Sequence, residues 1–335
     1  MPLSKTVTTS LKAWRSVFGE GTKIENWVKD RYLTKIQTEV KKESGPGWVQ
    51  YSGARAVILS ESDDFPEPRR GILLKGGCDL PSVFTAAPLM REGLKGTVAI
   101  SRHIGGTGGN RSDQILQTLD GVDQEKVAET RRMLQLNRDY FEPTFFDPTF
   151  TVRNMPEAGS FPKDVVVMGI GTDETRQMYQ HREHGFIIDP GGWWLNQDLG
   201  RVLKDLDTVE WFRTNFKRIG RLSLDDFKSN TTRLVSEIDA RMGSKIIFYN
   251  SLALDPASPV HNYQLVKTAH AARRREFTIG LAELSAELGF SIVDIDRILK
   301  TMGVEEQVDF AHFPVDRMAP IGAEVFRILK GIEFI

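Results

Sequence analysis

A single cysteine, Cys78, stands in the segment of this sequence whose residue types are best suited to nucleophilic chemistry. This segment, residues 71–82, reads GILLKGGCDLPS. Its apolar start predicts a buried strand, its glycine pair predicts a sharp turn, and Pro81 suits the first turn of a helix. That geometry would place Cys78 near a helix N-terminus, where the partial positive charge favours the nucleophilic thiolate. The alternative is a small apolar residue packed under a turn, because free cysteines are often simply buried.

Two more residues suited to this chemistry lie near the C-terminus, where Asp309 precedes His312 by three residues. A histidine can take the proton of a thiol, and an aspartate can orient the imidazole ring. The alternative is a surface loop in which the two side chains share a local hydrogen bond. Standing alone, the pair is better explained by that local hydrogen bond; beside Cys78 and two glycine-rich loops, a catalytic interpretation is favoured.

Two other segments could contribute to a ligand site, the first of them by offering backbone amides to an anion. Residues 103–110, HIGGTGGN, follow a predicted strand and expose backbone amides. They lack the Gly-Lys-Ser/Thr ending of a phosphate loop, so nucleotide binding is not predicted. Residues 171–174, GTDE, follow the clearest strand, at the place where α/β sheets bind ligands.

His181 and His184 have the spacing of one helical turn, with Glu183 between them, and could form a metal pair. A zinc site needs at least three suitable protein ligands, and no third is indicated by the spacing. The sequence therefore predicts no metal site, and no cofactor is expected.

The elements that must position these residues alternate between strands and helices, which predicts an α/β fold with a doubly wound parallel sheet. The carboxyl ends of its strands should share one edge. Five strands are predicted, near residues 71–75, 97–101, 164–170, 245–249 and 291–295.

Residues 1–65 are predicted to form an accessory region that precedes the main domain at residues 66–335. The region is expected to be mainly helical, with helices at residues 9–18 and 24–42. A hairpin is expected further on, between residues 48–51 and 55–59.

The composition bounds the classes of function. The chain has 335 residues, of which 40% are hydrophobic and 27% are charged, as in ordinary globular proteins. The formal net charge of −1 does not suggest an electrostatic nucleic-acid binder. One cysteine excludes an internal disulfide framework. Because no signal-peptide core and no membrane span are evident, a cytoplasmic protein is expected.

The order of these motifs resembles the SGNH, or GDSL-type, hydrolase superfamily over residues 66–335. The family's first block is Gly-Asp-Ser after the first strand, with Ser as the nucleophile, and residues 76–78 match it with GGC. The family's last block is Asp-x-x-His, which Asp309 and His312 match. The resemblance implies a three-layer α/β/α fold around a five-stranded parallel, flavodoxin-like sheet. It also implies a catalytic triad of Cys78, His312 and Asp309.

The family's second and third blocks hold oxyanion donors. Gly108 matches the second-block glycine, whose backbone amide would act beside the amide of Cys78. Asp173 stands at the third-block asparagine and is the second expected oxyanion or substrate residue. The sequence therefore departs from the family twice, with cysteine for serine and an acid for asparagine. An ionised Asp173 would repel a developing oxyanion, so only its protonated form could donate a hydrogen bond.

The resemblance implies an acyltransferase or an esterase. Transfer is favoured over hydrolysis, because an acyl-thioenzyme can pass its acyl group to a hydroxyl or an amine. The expected partner is a small-molecule or carrier-bound acyl substrate, with a carbohydrate among the acceptors that would fit. The alternative is a catalytically silent SGNH-like domain that binds a carbohydrate or a carrier protein.

Overall fold

The chain forms a mixed α/β fold in which one large sheet has helices on both faces. The computed structural model describes residues 40–53, 56–76, 80, 83–84, 93–103, 111–134, 136, 140–190, 199–203, 205–253, 269–303 and 315–335. No helix within these ranges is long and apolar enough to cross a membrane.

Thirteen strands, nine α-helices and two short 3-10 helices (Pro143–Phe146 and Pro156–Ala158) lie within the described ranges. The strands are β1 (Lys41–Gly45), β2 (Trp48–Ser52), β3 (Ala56–Ser60), β4 (Arg69–Lys75), β5 (Thr97–Arg102), β6 (Thr149–Thr151), β7 (Ser160–Pro162), β8 (Val165–Gly169), β9 (Met178–His181), β10 (Ile187–Ile188), β11 (Phe216–Gly220), β12 (Lys245–Tyr249) and β13 (Ser291–Val293). The helices are α1 (Ser112–Asp120), α2 (Gln124–Leu134), α3 (Gly171–Thr175), α4 (Leu199–Leu203), α5 (Leu206–Asn215), α6 (Leu224–Met242), α7 (Ala269–Leu288), α8 (Ile295–Thr301) and α9 (Val315–Gly331).

The large sheet has eight strands in the order β1-β2-β3-β5-β4-β8-β12-β13. The five strands from β5 to β13 are parallel to their neighbours within this group, so their carboxyl ends lie at one edge. Of these five, β4 comes first in the chain and lies between β5 and β8. The chain extends the sheet from β4 first on one side and then on the other. The ends of β4 and β8 are therefore a topological switch point.

The five predicted strands are present and parallel, but the prediction of a five-stranded sheet is wrong, because three antiparallel strands extend the sheet beyond β5. The expected hairpin is present as β2 and β3, but β3 also pairs antiparallel with β5. Its apolar run is buried and covers the edge of the parallel strands, which would otherwise be open to pairing. Lys41 and Lys42, predicted to end a helix, lie in β1. The domain boundary near residue 65 stays a prediction.

The central strands read as continuous apolar runs because both of their faces are buried. Alternate residues face opposite layers: Leu74 and Val167 pack on one side, and Leu73 and Met168 on the other. Helices α8 and α9 cover the first side, and α1, α6 and α7 cover the second. Each fully buried aliphatic side chain contributes roughly 1.5–3 kcal/mol. This two-sided core fixes the strands whose ends surround the candidate site.

Candidate active site

The switch point between β4 and β8 is the place where open α/β sheets bind ligands. Lys75 is the last residue of β4 and is paired with Met168 in β8. Gly76 follows, and a Cβ atom there would lie 3.3 Å from the amide nitrogen of Gly169. The absence of a side chain therefore lets the backbone leave β4 in close contact with β8. Cys78, the predicted nucleophile, is two residues further along the sequence.

Of the five predicted site residues, Asp173 is the one that the structure describes. Cys78, Gly108, Asp309 and His312 lie outside the described residues, so their roles stay predictions. The sequence places the first two after β4 and β5, and the Asp–His pair before α9. The described residues give the surroundings of Asp173 and of the strand ends that flank these segments.

Asp173 is buried at the end of β8, in the short helix α3. Its Oδ1 accepts a hydrogen bond of 2.7 Å from the backbone amide of Ser112, the first residue of α1. Its Oδ2 lies 3.5 Å from Nζ of Lys75, and both side chains of this ion pair are buried. Both carboxylate oxygens therefore have partners inside the protein. Asp173 joins the end of β4 to the start of α1.

Glu174, the next residue, is not among the predicted site residues, although it carries a second buried acid. Its side chain is fully buried, and Oε2 lies 3.8 Å from Nε of Arg274 in α7. Burial raises the pKa of Glu174 to about 7, while Arg274 and the hydroxyl of Ser251 act to lower it. A carboxyl group that titrates near neutral pH at strand ends is found in many functional sites, and also in structural ion pairs.

The first turns of α7 tie these acids to the rest of the sheet edge. Arg273 donates from Nε to the carbonyl oxygen of Glu174 at 2.6 Å, and its guanidinium lies 4.3 Å from the ring centre of Phe277. Arg274 donates to the carbonyl oxygen of Leu252, which follows β12, at 2.8 Å. Burial lowers the pKa of both arginines. The arginine run in the sequence is the signal that could have indicated this cluster.

His103 follows β5 at the same edge of the sheet. Its backbone amide donates to the carbonyl oxygen of Leu74 at 2.8 Å. Its ring packs edge-to-face with the ring of Phe145, and the two ring centres are 5.2 Å apart. Burial, followed by the nearby charges of Lys163 and Lys75, lowers the pKa of His103 to about 3. The imidazole is therefore neutral and weakly basic at neutral pH. This makes His103 a poor group for removing the proton of a thiol.

His181 and His184 do not lie on a helix, because the first ends β9 and the second follows in a turn. Their rings stack at 4.6 Å, and Nδ1 of His181 accepts from the backbone amides of Glu183 and His184. Burial lowers the pKa of His181. Among the residues that the structure describes, no three His, Cys, Asp or Glu side chains are grouped to hold a metal ion.

No protein-family model matches this chain, and no curated protein matches it. Solved structures include a mutant acetyl-xylooligosaccharide esterase from Geobacillus, which is 12% identical; the match covers 79% of this chain and 95% of that chain, with a TM-score of 0.36. A protein described as a GDSL-like lipase from Parabacteroides merdae is 11% identical, with coverage of 81% and 99% and a TM-score of 0.39. A phospholipase A1 from Streptomyces albidoflavus is 9% identical, with coverage of 78% and 99% and a TM-score of 0.34. These similarities are too weak to assign a function, which must rest on this chain's own topology and residues.

Proposed function

We propose that this chain is an SGNH-like enzyme that acts on an acyl ester or thioester, with Cys78 as its nucleophile. The supporting observation is the strand order β5-β4-β8-β12-β13, in which the first strand of the parallel group is flanked by the next two. Cys78 follows that first strand in the sequence. Side chains in this position lie near the switch point, where such sheets bind ligands.

The first half of the proposed reaction transfers an acyl group to sulfur. His312 takes the thiol proton of Cys78, with Asp309 orienting the imidazole. The sulfur attacks the acyl carbon, and the backbone amides of Gly108 and Cys78 stabilise the resulting oxyanion. The bond to the leaving alcohol or thiol then breaks, and His312 returns the proton to that group. An acyl-thioenzyme remains.

The second half of the reaction releases the acyl group. A hydroxyl, an amine or water attacks the thioester carbon while His312 takes its proton, and the sulfur of Cys78 leaves. A thioester is activated toward such attack, so we favour transfer to a hydroxyl or amine over simple hydrolysis. The product is an ester from a hydroxyl, an amide from an amine or a carboxylic acid from water, and the free thiol is regenerated when the proton returns to sulfur.

A second candidate function is a catalytically silent SGNH-like domain that binds a carbohydrate or a carrier protein. The contacts of Asp173 favour this alternative. At the family's asparagine position, the carboxylate of Asp173 has no amide N–H to donate to an oxyanion. Its two oxygens instead face the amide of Ser112 and the ammonium of Lys75. A catalytic reading therefore depends on the amides of Gly108 and Cys78.

The two functions differ in whether Cys78 becomes acylated. The purified chain is mixed with p-nitrophenyl acetate or with a short-chain acyl thioester and quenched in acid. The mass of the intact protein is then measured by mass spectrometry. The enzyme hypothesis predicts a mass increase of one acyl group per chain. This adduct should be absent in Cys78→Ala and should form more slowly in His312→Ala. Because the chain has a single cysteine, an adduct on sulfur can be assigned without ambiguity.

Cys78→Ser sharpens this experiment, because serine with the same base can still attack an activated ester. We expect it to retain slow release of p-nitrophenol. No adduct on the wild-type chain with either donor, at any time from milliseconds to hours, contradicts the enzyme reading and leaves the binding domain as the better account.

A further inference from the structure

Lys75 and Asp173 form a buried ion pair across the switch point. Lys75 ends β4 and is 3% exposed, and Asp173 follows β8 and is 2% exposed. Their charged atoms, Nζ and Oδ2, are 3.5 Å apart. Buried pairs of this kind contribute little net stability, because the loss of hydration offsets the attraction between the charges. Stability alone is therefore a weak explanation for this pair.

The second oxygen of Asp173 extends the contact to a third element. The hydrogen bond from the amide of Ser112 fixes the first residue of α1 against α3. Nη1 of Arg111 donates to the carbonyl oxygen of Arg176 at 3.1 Å, which joins the same two segments a second time. The ends of β4 and β8 and the start of α1 are thus held together by one carboxylate and its neighbours.

Chain length limits how far the proposed catalytic groups can lie from this junction. Cys78 is three residues after Lys75, and Gly108 is four residues before Ser112. Extended chains of three and four residues span at most about 11 Å and about 14 Å. The junction therefore restricts the positions of the proposed nucleophile and of the proposed oxyanion amide at the same time.

We propose that Lys75 and Asp173 act as one positioning unit. The unit fixes the segment that carries the nucleophile relative to the segment that carries the oxyanion amide. This inference rests on the proposed function. It assigns Asp173 a role different from that of the family's asparagine: the carboxylate accepts from the protein and does not donate to the substrate. Lys75 supplies the positive charge that this buried carboxylate requires.

The test measures acylation of Cys78 by p-nitrophenyl acetate in single turnover, with the maximal rate and the half-saturating concentration determined separately. Lys75→Met and Asp173→Asn should each lower the maximal rate at least ten-fold, with the half-saturating concentration changed less than three-fold. The double variant should be no slower than the slower single variant, because residues that act as a unit are not additive. Lys75→Arg, which keeps the charge, should recover most of the rate.

Lys163→Met is the control, because Lys163 is equally buried, at 3% exposure, but its ammonium is held by the carbonyl oxygens of Thr144 and Phe145 and not by a carboxylate. It should keep the maximal rate within two-fold of wild type even if it lowers the unfolding temperature. If Lys75→Met does not fold, Asp173→Asn and Lys75→Arg still decide the outcome.

Unchanged rates in folded Lys75→Met or Asp173→Asn would overturn the positioning role. So would independent, multiplicative losses in the double variant, or a gain of hydrolysis in Asp173→Asn, which would mark that position as an oxyanion donor. Failure of the wild-type chain to acylate would instead remove the proposed function on which this inference rests.

Discussion

The parallel strands begin at an amino edge and end at a carboxyl edge. Each of these two edges has a buried lysine, but the charge of the lysine is stabilised in different ways. At the amino edge, Lys163 donates to the carbonyl oxygens of Thr144 and Phe145 at 2.8 and 2.9 Å. At the carboxyl edge, Lys75 faces the carboxylate of Asp173. Burial lowers the pKa of Lys163 to about 8, with Asp147 partly opposing this effect.

The two edges differ in the groups that stabilise a buried charge. The lysine at the amino edge is held by neutral carbonyl groups of a short 3-10 helix, Pro143–Phe146, which anchors that helix to the sheet. At the carboxyl edge, opposite charges are paired twice in consecutive residues, Asp173 with Lys75 and Glu174 with Arg274. Because such pairs are poor stabilisers, their concentration at one edge favours a functional role there.

The largest expected effect comes from removing one charge at the carboxyl edge. Arg274→Met should lower the free energy of unfolding by roughly 3–5 kcal/mol at pH 8, because it removes the closest counter-charge of the buried Glu174 carboxylate. Urea unfolding measures this loss. Arg233→Met, which breaks an exposed pair with Asp120, is the control and should cost about 0.5 kcal/mol. Equal losses in the two variants would show that the buried pair has no special cost.

The next prediction compares the loss of stability when an alanine replaces a glycine within β4 or the glycine that follows β4. An alanine Cβ at Gly71, in the amino half of β4, would lie 2.0 Å from the carbonyl oxygen of Pro162, so Gly71→Ala should cost about 3 kcal/mol. At Gly76 the closest atom, 3.1 Å away, is the flexible Cδ2 of Leu80, and Gly76→Ala should cost about 1 kcal/mol. Thermal unfolding of the two variants compares them. The reverse order would mean that the carboxyl edge is the more tightly packed of the two.

An effect smaller than the loss at Gly71 is a dependence of stability on pH. The folded chain binds the Glu174 proton up to a pH of about 7, whereas the unfolded chain releases it near 4.5. The folded state therefore holds more protons between these values, and the free energy of unfolding falls as the pH rises through them. Relative to Glu174→Gln, wild type should lose about 2 kcal/mol between pH 5.5 and pH 8.

Lys163 gives the opposite slope and serves as the comparison. Its pKa is about 8 in the folded chain and 10.5 in the unfolded one, so the unfolded state binds more protons between these values. The stability of wild type relative to Lys163→Met should therefore rise as the pH increases from 8 to 10.5. If the stability differences for the two substitutions changed with pH in the same direction, the two edges would not differ as described.

The strands of the parallel group could be predicted because their two buried faces leave a mark in the sequence. The runs ILL before Lys75 and KIIFY in β12 are apolar without alternation, as expected for strands covered on both sides. The strand β1 reads KKESG and is exposed, so nothing in its residues distinguishes it from a charged helix end. Its conformation depends on pairing with β2, which a local pattern does not record.

The position of Asp173 after β8 could be predicted from the sequence, but its contacts could not. Asp173 was identified because it follows the clearest strand. Lys75 and Ser112 were missed, because their contacts with Asp173 depend on β4 and β8 lying side by side. Residues 216–220 form β11 because they pair with β9, a pairing that no local pattern records. In each case the deciding interaction joins segments that are distant in the sequence.

The central claim, that Cys78 is an activated nucleophile at the carboxyl edge, is tested most directly by the rate at which iodoacetamide alkylates it. Reaction of the single thiol is followed by intact mass from pH 5 to pH 10, in wild type and in His312→Ala. An ordinary thiol reacts with a pKa of about 8.5, and a helix N-terminus with a nearby imidazolium lowers that pKa. We predict alkylation of the native chain at pH 7 that is faster than that of a free thiol and is slowed in His312→Ala. Slow alkylation that is unaffected by His312→Ala would contradict the account.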